Sequence, residues 1–189
     1  MVNIAYRRSG QNRTLLAHDH SELDSLLGAA RSALAAGAVE RSFETVDVFW
    51  ARLAIHIRAE HLHLFPTVLQ AVDAAVQKKE LGGSPSREVA QARIAQLKED
   101  HDYLMRELAA AVKELRALRD EEHNDPAAVF RKVQARIVAV SRRLEVHNEV
   151  EESQVYPWAG VLLDRSEQLA LGKKIQRELV NLPARFETK

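Results

Sequence analysis

Two eleven-residue stretches carry the residues best placed to do chemistry: HIRAEHLHLFP, from His56 to Pro66, and HNEVEESQVYP, from His147 to Pro157. Each opens on a histidine, has a glutamate four residues later, and closes on an aromatic residue and a proline. Residues i and i+4 of a helix lie one turn apart on one face, so His56 and Glu60 point together, as do His147 and Glu151. An imidazole and a carboxylate aimed the same way make half of a metal site.

Two single histidines extend the pattern. His20 interrupts the apolar series Leu16, Leu23, Leu27, Ala30, Leu34, and His101 interrupts Ile94, Leu97, Leu104, Leu108, Ala111, Leu115, Leu118. Steps of three and four trace the buried face of a bundle helix. The doublets lie on two more such seams, after Val46, Phe49 and Leu53 in one case and after Val133, Ile137, Val140 and Leu144 in the other. His20, His56, Glu60, His101, His147 and Glu151 are thus expected inside the protein. Burying one polar group without a partner costs roughly 2–7 kcal/mol, and two ionised carboxylates in one core repel each other. A lone seam histidine is more often a hydrogen-bonded core residue than a ligand. Six such groups on matching seams point instead to a pair of metal ions, with the glutamates able to bridge. Nitrogen and oxygen ligands without thiolate suit iron, manganese or zinc, and iron ranks first.

Other candidates are weaker. His63 continues the first seam and aligns with Gln154 of the second copy; it reads as an outer donor or additional ligand, or as the partly exposed end of the seam. His18, His61 and His123 read as surface residues. Phe65-Pro66 and Tyr156-Pro157 read as plugs that end their helices, with Tyr156 as ligand or redox partner the alternative.

The elements that must position these groups are helices. The first is expected over about 12–36, with Gly37 as its stop, and the second over about 40–80, kinked just after the site by Pro66. A loop over 81–86 supplies Ser84 as N-cap and Pro85 at the first helical position of the third helix; Asp125 and Pro126 do the same for the fourth. A fifth, shorter helix starts at the capping-box pair Asp164 and Glu167 and buries Leu171, Ile175, Leu179 and Leu182. The expected fold is all-α: an antiparallel up-and-down four-helix bundle over 12–160, a flexible arm over 1–11, and an additional short C-terminal helix over 161–189 packed on the bundle.

Composition agrees and excludes several classes. The chain has 189 residues, enough for one domain, and 27 Lys plus Arg against 27 Asp plus Glu, with no basic excess to bind nucleic acid. It has no cysteine, hence no disulfide, thiolate nucleophile or sulfur ligand. No stretch reaches a membrane span and no leader is evident, so a soluble, cytoplasmic protein is expected, its oligomeric state open.

The order His, His-x-x-x-Glu, His, His-x-x-x-Glu, with an aromatic-proline pair after each doublet, resembles the hemerythrin-like family of cation-binding helical bundles from about Leu15 to Trp158. The resemblance implies a non-haem, oxo- or hydroxo-bridged di-iron centre held by His20, His56, His101 and His147 and bridged by Glu60 and Glu151. Oxygen-carrying members use five histidines where this chain offers four, which implies a nearly symmetric site. The function implied is reaction with, or sensing of, dioxygen, peroxide or nitric oxide, including peroxidase- or catalase-like turnover. Non-catalytic binding, storage or delivery of iron or oxygen is the alternative. Many relatives carry an acidic residue after the doublet glutamate, as Glu152 does here; His61 takes that place in the first copy.

Overall fold

The computed structural model describes residues 11–78, 84–120, 125–183 and 186, and the side chains of 11–14 are not described. The expected arm over 1–11 (except residue 11, the first of helix α1), the end of the second helix at 79–80, the first part of the 81–86 loop and His123 lie outside the described residues. Among those residues the chain is helical, without a strand: α1 (Gln11–Ala35), α2 (Val39–Ala59), α3 (Phe65–Lys78), α4 (Arg87–Arg119), α5 (Pro126–Val150), α6 (Tyr156–Leu162) and α7 (Arg165–Leu179).

Local chemistry sets the boundaries. Gly37 takes φ 69°, and two bonds close α1 behind it: Gly37 N–H to the Leu34 carbonyl and Ala38 N–H to the Ala33 carbonyl, both 3.2 Å. Asp125 caps α5 by accepting from Ala128 N–H at 3.0 Å, and Asp164 and Glu167 form the reciprocal capping box of α7. The cap of α4 differs from expectation. Ser86, not Ser84, accepts from Val89 N–H at 3.3 Å, which leaves Pro85 outside the helix and puts Glu88 in the first turn, where the helix dipole favours a carboxylate.

The prolines act on the turn before them rather than after. Glu60–Leu64 and Glu151–Val155 are π-helical turns, with Phe65 N–H bonded back to the Glu60 carbonyl and Tyr156 N–H to that of Glu151. A proline one residue further has no N–H and crowds the carbonyl four residues back, and a wide turn relieves both problems. The helix axis therefore continues, but the side-chain register advances by about one residue after Glu60 and after Glu151.

α1 packs on α2 and α5, and α4 on the same two, so the four long helices close a ring; α7 lies against α1 and α2. Every seam residue named above on these helices is buried except Leu182, which lies beyond the end of α7 and is partly buried. One apolar cluster runs from Leu23, Phe49 and Leu104 to Leu115 and Ile137, and a second from Leu16 and Phe65 to Leu97, Val155 and Ile175. α1, α4 and α5 each pass from one cluster to the other at a histidine, and α2 does so around His56. Among the described residues no helix is long and apolar enough to cross a membrane.

Candidate metal centre

All six expected residues meet at that boundary, each no more than 3% exposed. His20 Nε2 and His56 Nε2 stand 3.1 Å apart, and His101 Nε2 and His147 Nε2 2.9 Å. The glutamates lie between these two pairs. Glu60 turns Oε1 to His56 Nε2 and Oε2 to His101 Nε2, both at 3.4 Å. Glu151 turns Oε2 to His20 Nε2 at 3.4 Å and Oε1 to His147 Nε2 at 3.2 Å. Each carboxylate thus spans both histidine pairs. His20, His56, Glu60 and Glu151 can hold one cation, and Glu60, His101, His147 and Glu151 another.

The donor chemistry fits that reading. Two nitrogens each about 2.1 Å from one ion stand about 3 Å apart at a right-angled ligand geometry, close to both observed pairs. Glu60 Oε2 and Glu151 Oε1 are buried acceptors without a hydrogen-bond partner, and both face the His101–His147 pair. A buried, unpaired acceptor is costly, so these two oxygens mark where a positive charge belongs.

The surrounding charges hold the groups apart in protonation. Burial lowers the His56 pKa, but Glu60 and Asp19 outweigh it and carry it to about 10. Burial pushes His101 down to about 2, assisted by the neighbouring histidines against Glu151. Burial and the Glu151 charge raise Glu60, whereas Glu151, despite its burial, is held well below the usual carboxylate range by His147, His20 and His101. One proton between the two carboxylates relieves their repulsion.

A further layer escaped the sequence reading. His56 Nδ1 donates to Asp19 Oδ2 at 2.7 Å, and His147 Nδ1 faces Asp100 Oδ2 at 3.4 Å. Arg52 donates to Asp19 at 2.8 Å, and Arg143 Nε to Asp100 at 2.7 Å. These residues repeat as Asp-His (Asp19-His20, Asp100-His101) and as Arg four residues ahead of each doublet, a signal present in the sequence and overlooked there. An Nδ1–H held by a carboxylate fixes the ring and leaves Nε2 for a metal.

One surface assignment needs correction, and the partly exposed reading of His63 holds. His61 is half-buried, with Nε2 2.9 Å from His101 Nδ1, while its counterpart Glu152 accepts from His20 Nδ1 at 2.8 Å. His63 instead points to Glu178 of α7, 3.7 Å away, and Gln154 is likewise absent from the six-residue cluster. The π-helical turn explains both shifts, because the added residue rotates His63 off the seam and brings Leu64 and Phe65 inward. His18 is exposed beside Glu22, as expected.

Tyr156 is more than a plug. Its hydroxyl is 2.8 Å from Glu60 Oε1, 3.1 Å from Glu151 Oε2 and 3.1 Å from His20 Nε2, all on the His20–His56 side. Burial and the two glutamates raise its pKa well above the ordinary tyrosine value, so it keeps its proton. The matching Phe65 ring stacks on His101, with centroids 6.1 Å apart. One half is therefore lined by a hydroxyl and the other by a hydrocarbon ring.

A family model described as the hemerythrin HHE cation binding domain matches residues 11–159. No curated protein and no solved structure matches the chain.

Proposed function

The chain belongs to the hemerythrin HHE cation-binding family, and from that premise we propose that it holds two iron ions and uses them to react with, or sense, a small oxidant such as dioxygen, peroxide or nitric oxide. His20 and His56 would serve one ion, His101 and His147 the other, and Glu60 and Glu151 both. The observation that carries this reading is the straddling of both histidine pairs by both carboxylates. Imidazole and carboxylate ligands suit iron, manganese and zinc alike, and iron is chosen on the family resemblance. The ring of α1, α2, α4 and α5 is read as running up and down in turn, with α7 as the added C-terminal helix.

Bound iron would supply Lewis acidity and exchangeable electrons. The protein supplies the rest. Apolar clusters on either side exclude bulk water and limit the ligand to something small. Tyr156 holds a proton on the His20–His56 side and can donate it as a hydrogen bond to a glutamate or to a small anionic ligand there. The Asp19–Arg52 and Asp100–Arg143 pairs orient His56 and His147 and keep their rings basic.

Asp19→Ala should weaken metal binding roughly 10–100-fold by freeing the His56 ring. His63→Leu should leave affinity and spectrum unchanged, because His63 faces Glu178; competition with a chromogenic chelator reads both. Mixing iron-loaded protein with each oxidant in a stopped-flow instrument tests the function. We expect a rapid change in the near-ultraviolet iron absorption, with peroxide consumed, and loss of both in Glu151→Ala. A spectrum indifferent to all three oxidants would remove the oxidant reading, and a long-lived dioxygen adduct without turnover would move it to carriage or storage.

A further inference from the structure

Tyr156 sets the two halves of the metal centre apart. Its hydroxyl lies within hydrogen-bond reach of Glu60 Oε1, Glu151 Oε2 and His20 Nε2, at 2.8, 3.1 and 3.1 Å. Those are three of the four atoms that would hold the ion of the His20–His56 half, the fourth being His56 Nε2. The ring is 3% exposed and belongs to the apolar cluster of Leu16, Val155 and Ala159, so the hydroxyl is held in place.

The His101–His147 half differs. Glu60 Oε2 and Glu151 Oε1 face it without a hydrogen-bond partner. The residue that matches Tyr156 in the repeat is Phe65, whose ring stacks on His101 and offers no donor. Each glutamate therefore has one oxygen engaged by the hydroxyl and one left unpaired, and both engaged oxygens are on the same side. A buried tyrosine hydroxyl usually finds a partner, and that alone gives it no role. Here the acceptors it takes are the metal's own donors, in one half only.

We propose that Tyr156 makes the two halves fill in order: the first ion enters the His101–His147 half, and the second enters the His20–His56 half against the Tyr156 hydrogen bonds. The inference rests on the metal-centre reading above. The first ion satisfies two unpaired buried oxygens and breaks no hydrogen bond to them. The second meets donors already in use. His20 Nδ1 donates to Glu152, which leaves Nε2 with the ring's one lone pair, and a lone pair given to an ion is lost to the hydroxyl. A hydrogen bond to a charged group is worth about tenfold or more in an equilibrium constant, so the second ion should bind at least that much more weakly. Glu152 pulls the other way, since it puts a carboxylate beside His20 where His101 has His61. Glu152 is 43% exposed, however, and solvent screens it more than the buried hydroxyl is screened. The dinuclear centre then assembles only above a metal concentration that Tyr156 sets, and a chain short of metal carries one ion.

Zn²⁺ titration of the metal-free full chain, followed by calorimetry and by long-range proton–nitrogen NMR of the imidazoles, tests this. The first equivalent should move the His101 and His147 signals, and the second those of His20 and His56. Repulsion between the ions weakens the second step whichever half fills first, so the order and a variant carry the test. Tyr156→Phe should tighten the second step about tenfold and leave the first within about twofold. His20 and His56 signals that move first, or four that move together, would overturn the order while leaving the metal centre standing. An unchanged second step in Tyr156→Phe would do the same, and a weaker one would make the hydroxyl a ligand rather than a competitor and overturn it too. A chain whose four histidines ignore Zn²⁺ would overturn both the order and the centre.

Discussion

Leucine in place of Glu60 should strip the protein of metal and leave the metal-free fold as stable as before, or more so. Glu60 is fully buried and offers one oxygen to each histidine pair, so its loss removes a ligand from both halves at once. Removing an outer hydrogen-bond partner costs roughly 10–100-fold in affinity, and the loss of a shared ligand should exceed that. Without metal, the same carboxyl is a liability: burial and Glu151 raise its pKa, and Oε2 has no partner. Exchanging a whole buried ion pair for apolar residues is often neutral or stabilising by about 1–4 kcal/mol, whereas removing one partner is costly where it leaves the other unpaired; here the groups left behind have other partners. His56 keeps Asp19 and Tyr156 keeps Glu151 in the variant. Metal analysis after dialysis reads the first effect and urea unfolding of both metal-free proteins the second. A variant that retains metal at full stoichiometry would count against a shared ligand; one whose metal-free form is several kcal/mol weaker would mean that Glu60 is a structural residue.

Stripping metal from the wild-type chain should have the second-largest effect. A ligand at about a thousand times its dissociation constant stabilises by about 4 kcal/mol, and at this chain length each kcal/mol moves the melting midpoint by about 2–4 °C. A loss of about 10 °C on chelation, restored by metal, is the expected calorimetric result. The loss should depend on pH in a definite direction. His56 has its folded pKa near 10, above the ordinary 6.5, so its proton stabilises the metal-free fold fully below about pH 6.5, and that contribution disappears as pH rises through about 10. Metal must displace this proton, whereas His101, held near 2, carries none to lose. Loading at neutral pH should therefore release a proton from His56, visible with an indicator dye in weak buffer, and affinity should climb from neutrality toward pH 10. Affinity that is flat over that range would mean that His56 is not a ligand.

The helices and the six central residues were legible in the sequence because periodicity reports burial directly. Steps of three and four run unbroken through Leu16–His20–Leu23 and Leu97–His101–Leu104, and a polar residue on such a run must be inside. That reasoning failed one turn later. Continued past Glu60 at the same period, the seam reaches His63; the π-helical turn before Pro66 adds a residue and delivers His61 to His101 in its place. Proline announced a disturbance, but not on which side of it the helix would yield. The ring of Asp19, Asp100, Arg52 and Arg143 was missed for another reason. These residues look like ordinary charges on an exposed face, and only the packing of α1 on α2 and of α4 on α5 shows each aspartate reaching a histidine of its neighbour. The Tyr156 hydroxyl was ranked second to bulk because its position after the doublet matches a phenylalanine; ligand or redox partner stood only as the alternative.

Two metal ions that share two glutamates should be lost together when either glutamate is removed. Metal content of the chain, purified without chelator and without a metal-affinity resin, tests it most directly. The predicted result is two iron ions per chain, falling together in Glu60→Leu; one tightly held zinc, or a folded chain that takes up no metal, would contradict it.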